Sequence, residues 1–249
     1  MGVTWDVEWV AETGSTNADL LAAARGGAPE GRVLSADHQT AGRGRLGRSW
    51  VAPSGASLLC SVLVRPAIPL TRVHLVTTAL ALAAADACGS LAGVAPDLKW
   101  PNDLLVGTRK LGGVLAESVV EGDHLEALVI GIGLNVSWPE ELPDDLAEIA
   151  TALNLEGGHD VDRRVLLGAI LEGFATRYAD LGAGNVEALV DEARRRTATL
   201  GQAVLVDLGN DTLVGDAVDI TLDGHLVVES DGVRREVTAG DVVHLRPHR

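Results

Sequence analysis

Residues 42–48 read Gly-Arg-Gly-Arg-Leu-Gly-Arg, so that three arginines are interleaved with three glycines. The spacing matches the G-x-G-x-x-G pattern of dinucleotide-binding folds. That pattern needs a strand before the glycines, a helix after them and an acidic residue about 20 positions later. Here Pro53, Ser54 and Gly55 follow, and no acidic residue occurs before Asp86. The run is therefore predicted to be an anion-binding loop in a different fold.

The surroundings of this run are basic, although the chain as a whole is acidic. The protein has 249 residues and a net charge of −15, yet the segment from His38 to Ala85 contains arginines and no acidic residue. Arginine donates paired hydrogen bonds to phosphate or carboxylate, and glycine lets backbone amides approach. With only 3% aromatic residues, the chain is predicted to bind a small anion and no DNA. The alternative interpretation is a solvated basic turn.

Four further motifs combine polar groups with backbone constraints, and each has a structural alternative. Residues 99–103 (KWPND) place a cation and a carboxylate at a strand end, or form an Asx-turn at the proline. Residues 110–113 (KLGG) set a lysine beside two glycines, and an ordinary surface lysine is the alternative. Residues 131–136 (GIGLNV) allow a ligand to approach a strand, or mark a bulge. Residues 15–17 (STN) are typical of a helix N-cap.

The hydrophobic pattern predicts a mixture of helices and strands up to about residue 197. A long helix is predicted to begin after Asp162, with apolar residues at every fourth position. The other predicted helices span 17–25, 71–91 and 185–197. The predicted strands span 32–36, 57–64, 97–100, 110–121 and 125–136. Residues 38–50 are predicted to form a loop.

Beyond about residue 198 the pattern changes to short β-like runs. They are separated by turn pairs at Gly209-Asn210, Asp223-Gly224 and Asp231-Gly232. Several short strands in a segment of this size predict a small β-barrel. The domain boundary is therefore placed near residue 198.

Targeting, redox and metal signals are few. The N-terminus has no basic region followed by an apolar stretch, as a secretory signal would have. The longest apolar run, residues 73–85, falls short of the roughly 20 residues that span a bilayer. Cys60 and Cys88 lie in apolar runs and are expected to be buried thiols. We therefore expect a cytoplasmic protein with no membrane association and no resident metal.

In chain order, these motifs resemble those of the biotin protein ligases. The matching residues are STN at 15–17, Gln39-Thr40-Ala41 leading into 42–48, Trp50, KWPND, KLGG and GIGLN. The resemblance spans essentially the whole chain and implies an α+β fold. It implies a catalytic domain over residues 1–197, with a mixed sheet and helices on one side as in class II aminoacyl-tRNA synthetases. Residues 198–249 would form an SH3-like β-barrel.

The same resemblance implies an enzyme that joins biotin to ATP, giving biotinyl-5′-AMP and pyrophosphate. The enzyme would then transfer biotin to a lysine of a biotin carboxyl carrier protein domain, that of acetyl-CoA or acyl-CoA carboxylase. Mg²⁺ would enter with ATP, held mostly by phosphates and water. The protein would act as a monomer or a weak homodimer. Bifunctional relatives carry an N-terminal helix-turn-helix, and because only 14 residues precede the STN motif, a repressor role is not expected.

The resemblance also implies roles for individual residues. The catalytic residues would be Lys110, Arg45 and Arg43. The biotin site would comprise Ser15, Thr16, Asn17, Gln39, Arg43, Gly44, Arg45, Lys110, Gly112 and Gly133. The ATP and adenylate site would comprise Arg43, Arg45, Arg48, Trp50, Asn102, Asp103, Lys110 and Asn135. Lys110 would contact the reacting carboxyl and phosphate oxygens, and Trp50 would stack on adenine. Asp103 would order the nucleotide and metal region or help to deprotonate the incoming lysine.

Two alternative functions stay open at this point. A lipoate or octanoate ligase on the same scaffold would differ in the acid that supports exchange between ATP and pyrophosphate. A non-catalytic module that binds anions or nucleic acid would show steep salt dependence and no biotin binding. The net charge of −15 argues against the second alternative.

Overall fold

The fold is that of a computed structural model, which describes residues 3–139, 144–209 and 211–245. Within these ranges, seven strands form one sheet in the order β1-β2-β3-β7-β6-β5-β4. The strands are β1 (Asp6–Thr13), β2 (Arg32–Gln39), β3 (Ser57–Val64), β4 (Asp97–Lys99), β5 (Asp103–Val106), β6 (Arg109–Glu121) and β7 (His124–Asn135). β1 and β2 run parallel and the other neighbours run antiparallel, so the sheet is mixed, as predicted.

Helices cover both faces of this sheet. They are α1 (Thr16–Arg25), α2 (Val73–Ala92), α3 (Asp144–Ala147), α4 (Leu153–Gly157), α5 (Arg163–Gly182) and α6 (Glu187–Arg196). α1 packs with Leu63 and Val129, whereas α2 and α5 pack with Val62 and Leu128. Because consecutive residues of a strand point to opposite faces, these contacts lie on opposite sides of the sheet. The expectation of helices on one side only is therefore wrong.

The central helix α2 is apolar on nearly every face, as its sequence predicts. Together with the turn before it, the helical segment Leu70–Ala92 has 23 residues and a window of mean hydropathy 1.6. By length and composition this segment could cross a membrane. The expectation that every apolar run is too short to span a bilayer is therefore wrong. However, 72% of that window is buried inside the protein, between the sheet and α5, which is the environment of a core helix.

A second sheet follows the helices. Its strands are β8 (Ala203–Asp207), β9 (Thr212–Ile220), β10 (Leu226–Ser230), β11 (Val233–Val237) and β12 (Asp241–His244). They pair antiparallel in the order β11-β10-β9-β8-β12. The predicted change to short strands is confirmed. Within the described residues the end strands β11 and β12 do not pair, so the ladder does not close the predicted barrel.

The second sheet is attached beside the KWPND motif. The Trp100 indole N–H donates to the Gly224 carbonyl oxygen at 3.1 Å, and the Trp100 backbone N–H donates to Thr199 Oγ1 at 3.0 Å. Trp100 is 5% exposed, so these bonds lie in the interior. The attachment brings the start of β12 next to residues 42–48.

Four elements were not predicted: β1, β5, α3 and α4. β1 has a charged sequence, but it lies at the edge of the sheet, where charged side chains are tolerated and discourage further strand pairing. β2 continues to Gln39 because residues 38 and 39 pair with the end of β1. The predicted loop therefore begins two residues later than expected.

Candidate active site

A cavity of about 130 Å³ opens on the face of the sheet that carries α1. It lies between the start of α1, strands β6 and β7, and residues 42–50. Most of the residues assigned from the sequence line this cavity: Ser15, Thr16, Asn17, Gln39, Arg43, Gly44, Arg45, Arg48, Trp50, Asn102, Asp103, Lys110 and Gly133. The fold therefore gathers into one site motifs that are far apart in the sequence.

Two glycines of β7 allow other side chains to pack directly on the backbone of this strand at the cavity wall. A Cβ at Gly131 would lie 2.3 Å from Asn17 Oδ1, and a Cβ at Gly133 would lie 2.5 Å from the Trp50 indole ring. Both distances are far shorter than the contacts that real Cβ atoms make. The close backbone approach that the sequence predicts is present, and the groups that approach the strand are Asn17 and Trp50.

The closed end of the cavity, called here the floor, is built from connected polar side chains. Ser15 caps α1, as predicted, and Thr16 and Asn17 begin the helix. The Thr16 N–H and hydroxyl face Gln39 Oε1 at 2.8 and 3.1 Å. The Ser61 hydroxyl lies 2.7 Å from Thr16 Oγ1 and donates to Asn17 Oδ1 at 2.6 Å. The floor can therefore bind an uncharged ligand group with its own hydrogen-bond donors and acceptors.

Residues 42–50 form a short hairpin, called here the arginine hairpin. The Trp50 N–H donates to the Gly42 carbonyl oxygen at 3.0 Å, and the Gly44 N–H donates to the Arg48 carbonyl oxygen at 2.7 Å. Gly47 has a φ of 73°, which suits the turn. The predicted irregular loop is thus paired across its base. Hydrophobic periodicity cannot reveal such pairing, because the segment is polar on both sides.

All three arginines of the hairpin contact other parts of the chain. Arg43 lies 3.3 Å from Glu117 Oε1 on β6. Arg45 donates to Asn102 Oδ1 at 3.2 Å and to the Gly240 carbonyl oxygen at 3.1 Å. Burial lowers the pKa of the Arg45 guanidinium, because desolvation disfavours its charged form. The charges of Asp241 and Asp103 partly offset this effect, and a bound anion would add further counter-charge.

The other two cations of the cavity, like Arg43, are paired with carboxylates. Arg48 forms an ion pair with Asp241 of β12, and that hydrogen bond raises the pKa of Arg48. Lys110 Nζ lies 2.6 Å from Asp103 Oδ1 and 5.6 Å from the centroid of the Trp50 ring. Among the lining residues, four cations face two carboxylates, so this wall attracts anions in a chain whose net charge is −15.

Two assigned residues are placed elsewhere. Gly112 pairs with Leu134 on the opposite face, where a Cβ would lie 2.8 Å from Leu134 Cδ1, and Gly113 is the glycine of this motif that lines the cavity. Asn135 is 3% exposed and donates to the Thr151 carbonyl oxygen at 2.9 Å, outside the described lining. Gly112 therefore faces the opposite side of the sheet from the cavity, whereas Asn135 lies on the same side as Gly133 but further along β7, with its amide bonded to Thr151.

Several residues of the site were missed. Ser61 is a polar residue in the interior of the predicted apolar strand 57–64, and that position could have indicated a role in the site. Glu117 shares the face of Gly113 on β6, which strand alternation could have indicated. Asp241 belongs to the second sheet, and its sequence carries no signal of contact with Arg48.

Metal and thiol chemistry find little support in the described ranges. Among those residues, no group of three or more His, Cys, Asp and Glu side chains lies close enough to hold a metal ion. Cys60 and Cys88 are free and buried. Burial raises the pKa of both thiols to about 12, so they are poor nucleophiles.

Comparisons with known proteins match two segments of the chain. The profile of the Biotin/lipoate A/B protein ligase family matches residues 14–135, which contain the cavity's floor, hairpin and glycine strands. The profile of the biotin protein ligase C-terminal domain matches residues 199–245, the second sheet. The fold and site therefore have the features of the biotin/lipoate class of protein ligases.

Individual relatives show which family within this class the chain resembles. A biotin–[acetyl-CoA-carboxylase] ligase of Mycobacterium tuberculosis is 41% identical, over 98% of this chain and 91% of that protein. The bifunctional ligase/repressor BirA of Bacillus subtilis is 34% identical, over 88% of this chain and 68% of that protein. A structure of biotin protein ligase from Aquifex aeolicus with biotin and ATP superposes with a TM-score of 0.83 at 27% identity, covering 97% of this chain and 99% of that one. This chain belongs to the biotin protein ligase family.

Proposed function

We propose that this chain activates biotin with ATP to biotinyl-5′-AMP and then transfers biotin to a specific lysine of a biotin carboxyl carrier protein domain, that of acetyl-CoA or acyl-CoA carboxylase. The observation that carries the proposal is the polarity of the cavity. Its floor is uncharged and hydrogen-bonding, and its mouth holds four cations. Biotin has matching ends, a ureido ring and a carboxylate.

The biotin ring would bind at the floor. Thr16 and Gln39 supply hydrogen-bonding atoms for the ureido group, and Ser15 adds a hydroxyl at the helix start. Gly131 and Gly133 let Asn17 and Trp50 pack directly on β7, and these two side chains form the wall along which the rest of the molecule can lie. The carboxylate would then reach the cationic mouth.

In the first step, a carboxylate oxygen of biotin attacks the α-phosphorus of ATP, and the bond to the bridging oxygen breaks to release pyrophosphate. Both reactants are anions, so positive charge must reduce their repulsion and stabilise the transition state. Arg43, Arg45 and Arg48 supply this charge from the hairpin. Lys110, held by Asp103 at 2.6 Å, would contact the carboxylate and phosphate oxygens.

Retention of the adenylate is the second task of the hairpin. Biotinyl-5′-AMP is a mixed anhydride that water would hydrolyse, so the closed site must exclude water. Arg45 already joins the hairpin to the second sheet through the Gly240 carbonyl oxygen. Trp50 is proposed to stack on adenine, and Asn102 to order the nucleotide, since both line the cavity.

In the second step, the lysine amine of the carrier domain attacks the biotinyl carbonyl carbon. The carbon–oxygen bond to the phosphate breaks, AMP leaves and the amine loses a proton. Lys110 would polarise the carbonyl oxygen. Asp103, beside it on the cavity wall, is proposed to order the nucleotide region or to receive that proton.

ATP would enter as its Mg²⁺ complex. The cavity carboxylates Asp103 and Asp241 are already paired with Lys110 and Arg48, so they do not form a dedicated ion site. These residues fit an ion that is held mainly by phosphate oxygens and water.

We also propose the domain boundaries, the cellular location and the oligomeric state of the protein. Residues 1–197 would form the catalytic domain and residues 198–249 the C-terminal domain, in agreement with two separate sheets. The protein would act in the cytoplasm, as a monomer or a weak homodimer, without binding DNA or membrane.

A lipoate ligase is the competing function, because the matching family includes lipoate ligases. The dithiolane ring of lipoate has no N–H or carbonyl group for the polar floor, which favours biotin. Exchange of labelled pyrophosphate into ATP, measured with each acid in turn, tests the choice. We expect exchange with biotin, and exchange with lipoate alone would overturn the proposal.

A further inference from the structure

We propose that Glu117 is a positioning residue that sets the hydrogen-bond polarity of the cavity floor through Asn17. The inference rests on the function proposed above, because it concerns the same cavity. Glu117 lies on β6 behind the floor. Its Oε2 accepts a hydrogen bond from Asn17 Nδ2 at 2.9 Å, while Arg43 holds the other carboxylate oxygen at 3.3 Å.

The orientation of the Asn17 amide is fixed by its neighbours. Its Nδ2 donates to Glu117 Oε2 and to the Leu115 carbonyl oxygen, at 2.9 and 3.2 Å. An ionised carboxylate and a backbone carbonyl only accept hydrogen bonds. A flipped amide would therefore set Asn17 Oδ1 against two acceptors in a site where Asn17 is 4% exposed. Asn17 Oδ1 must face Ser61 instead.

This orientation is passed on through two hydroxyl groups. Because Asn17 Oδ1 only accepts, the hydrogen of Ser61 is committed to it at 2.6 Å. The single hydrogen of Thr16 then serves the Ser61 oxygen at 2.7 Å, which is nearer than Gln39 Oε1 at 3.1 Å. The hydrogens run away from the cavity, so the Thr16 and Gln39 oxygens present lone pairs at the floor.

The opposite orientation of Asn17 would reverse this chain of hydrogen bonds. An N–H of Asn17 would donate to Ser61, Ser61 would donate to Thr16, and the Thr16 hydroxyl would donate to Gln39 Oε1 at 3.1 Å. Thr16 would then occupy a lone pair of Gln39 Oε1 that the observed arrangement leaves for an N–H group of a ureido ring. The charge of Glu117 therefore determines which hydrogen-bonding groups of a ligand the floor can bind, although Glu117 does not contact the ligand.

The test is calorimetric titration of biotin into the full chain. Asn17→Asp sets a carboxylate against Glu117; the repulsion should displace this side chain from Ser61 and weaken biotin binding about 10–100-fold. Adding Glu117→Gln lets the new amide donate to the introduced carboxylate, whose other oxygen still faces Ser61. The double variant should therefore regain at least about tenfold of the lost affinity.

Glu117→Ala and a matched control complete the design. Glu117→Ala frees the Asn17 amide and should raise the KM for biotin about tenfold or more. The substitution also releases Arg43 from its ion pair, so the KM for MgATP is expected to change as well. Glu121→Gln removes a charge from the exposed end of the same strand and should leave both constants unchanged. A general loss of structure would instead lower the melting temperature of Glu117→Ala.

The outcomes separate this inference from the function on which it rests. If the wild-type chain does not bind biotin, the proposed function fails. If the wild-type chain binds biotin but the double variant is no better than Asn17→Asp, the inference about Glu117 is wrong. Wild-type affinity in Glu117→Ala would overturn it as well.

Discussion

Replacing Gly131 by alanine probes the packing of the floor against β7. The new Cβ would lie 2.3 Å from Asn17 Oδ1 and 3.3 Å from Ser61 Oγ, whereas ordinary contacts begin at 3.4 Å. Asn17 would have to move by about 1 Å or more, because a carbon–oxygen pair attracts only near its van der Waals separation. Asn17 and Ser61 are 4% and 0% exposed, so water cannot take over their hydrogen bonds.

The expected cost has two parts. Overpacking a tight site costs about 1–3 kcal/mol. A Ser61 hydroxyl left without its acceptor costs about 1–3 kcal/mol more. The variant should therefore lose about 2–6 kcal/mol of unfolding free energy, which corresponds to a melting temperature lower by about 4–24 °C in a chain of this size. Biotin affinity should fall at least about tenfold.

The assays are thermal unfolding and calorimetric titration of biotin, with Gly168→Ala as the control. Gly168 is exposed inside α5, and a Cβ there meets nothing within 4 Å. The same substitution should stabilise that helix by about 1 kcal/mol. If Gly131→Ala keeps the wild-type melting temperature and biotin affinity, Asn17 is not held against the strand as described.

Four other perturbations have expected outcomes. Lys110→Ala should abolish most pyrophosphate exchange while the far-ultraviolet circular dichroism stays unchanged; near-normal turnover would remove Lys110 from the mechanism. Arg45→Gly should release biotinyl-5′-AMP, measured as labelling of bystander proteins, and labelling confined to the carrier would contradict the role of the hairpin. Burial lowers the pKa of His74 from 6.5 to about 4, so its contribution to stability is present above pH 6.5 and is lost as the pH falls towards 4. From pH 7.5 to 5.5, His74→Gln should therefore lose about 1 kcal/mol less unfolding free energy than wild type in denaturant titrations, and equal losses would refute the assignment. Cys60 and Cys88 should resist alkylation in the native state, and rapid labelling at neutral pH would contradict their burial.

The sequence was most informative where one residue type permits only one local structure. Gly131 and Gly133 within an apolar strand indicated close approach, and Asn17 and Trp50 are indeed packed there. The residue type and position of Ser15 predict a helix cap, and Ser15 caps α1. Such features depend on local backbone geometry, which neighbouring residues largely determine.

The sequence was least informative where the answer depends on which side of a strand faces the cavity. Gly113 lines the cavity, whereas Gly112 faces the other side of the sheet. One residue along a strand reverses the direction of the side chain, so register must be known before a role can be assigned. The sequence motif KLGG could not separate Gly112 from Gly113.

Contacts between the two sheets could not be predicted from either part alone. Arg48 pairs with Asp241, and Trp100 donates to Gly224, across large separations in the sequence. These pairs form because the second sheet docks beside the KWPND motif. Neither the composition nor the hydrophobic periodicity of the sequence indicates that docking.

The central claim is that this cavity makes an acyl adenylate from biotin. The most direct measurement is incubation of the purified chain with MgATP and biotin in the absence of any acceptor protein, followed by mass spectrometry of the bound small molecules. We expect biotinyl-5′-AMP to accumulate to about one molecule per chain, since one cavity would retain one product. A chain that consumes no ATP and yields no biotinyl-5′-AMP under these conditions would contradict the claim.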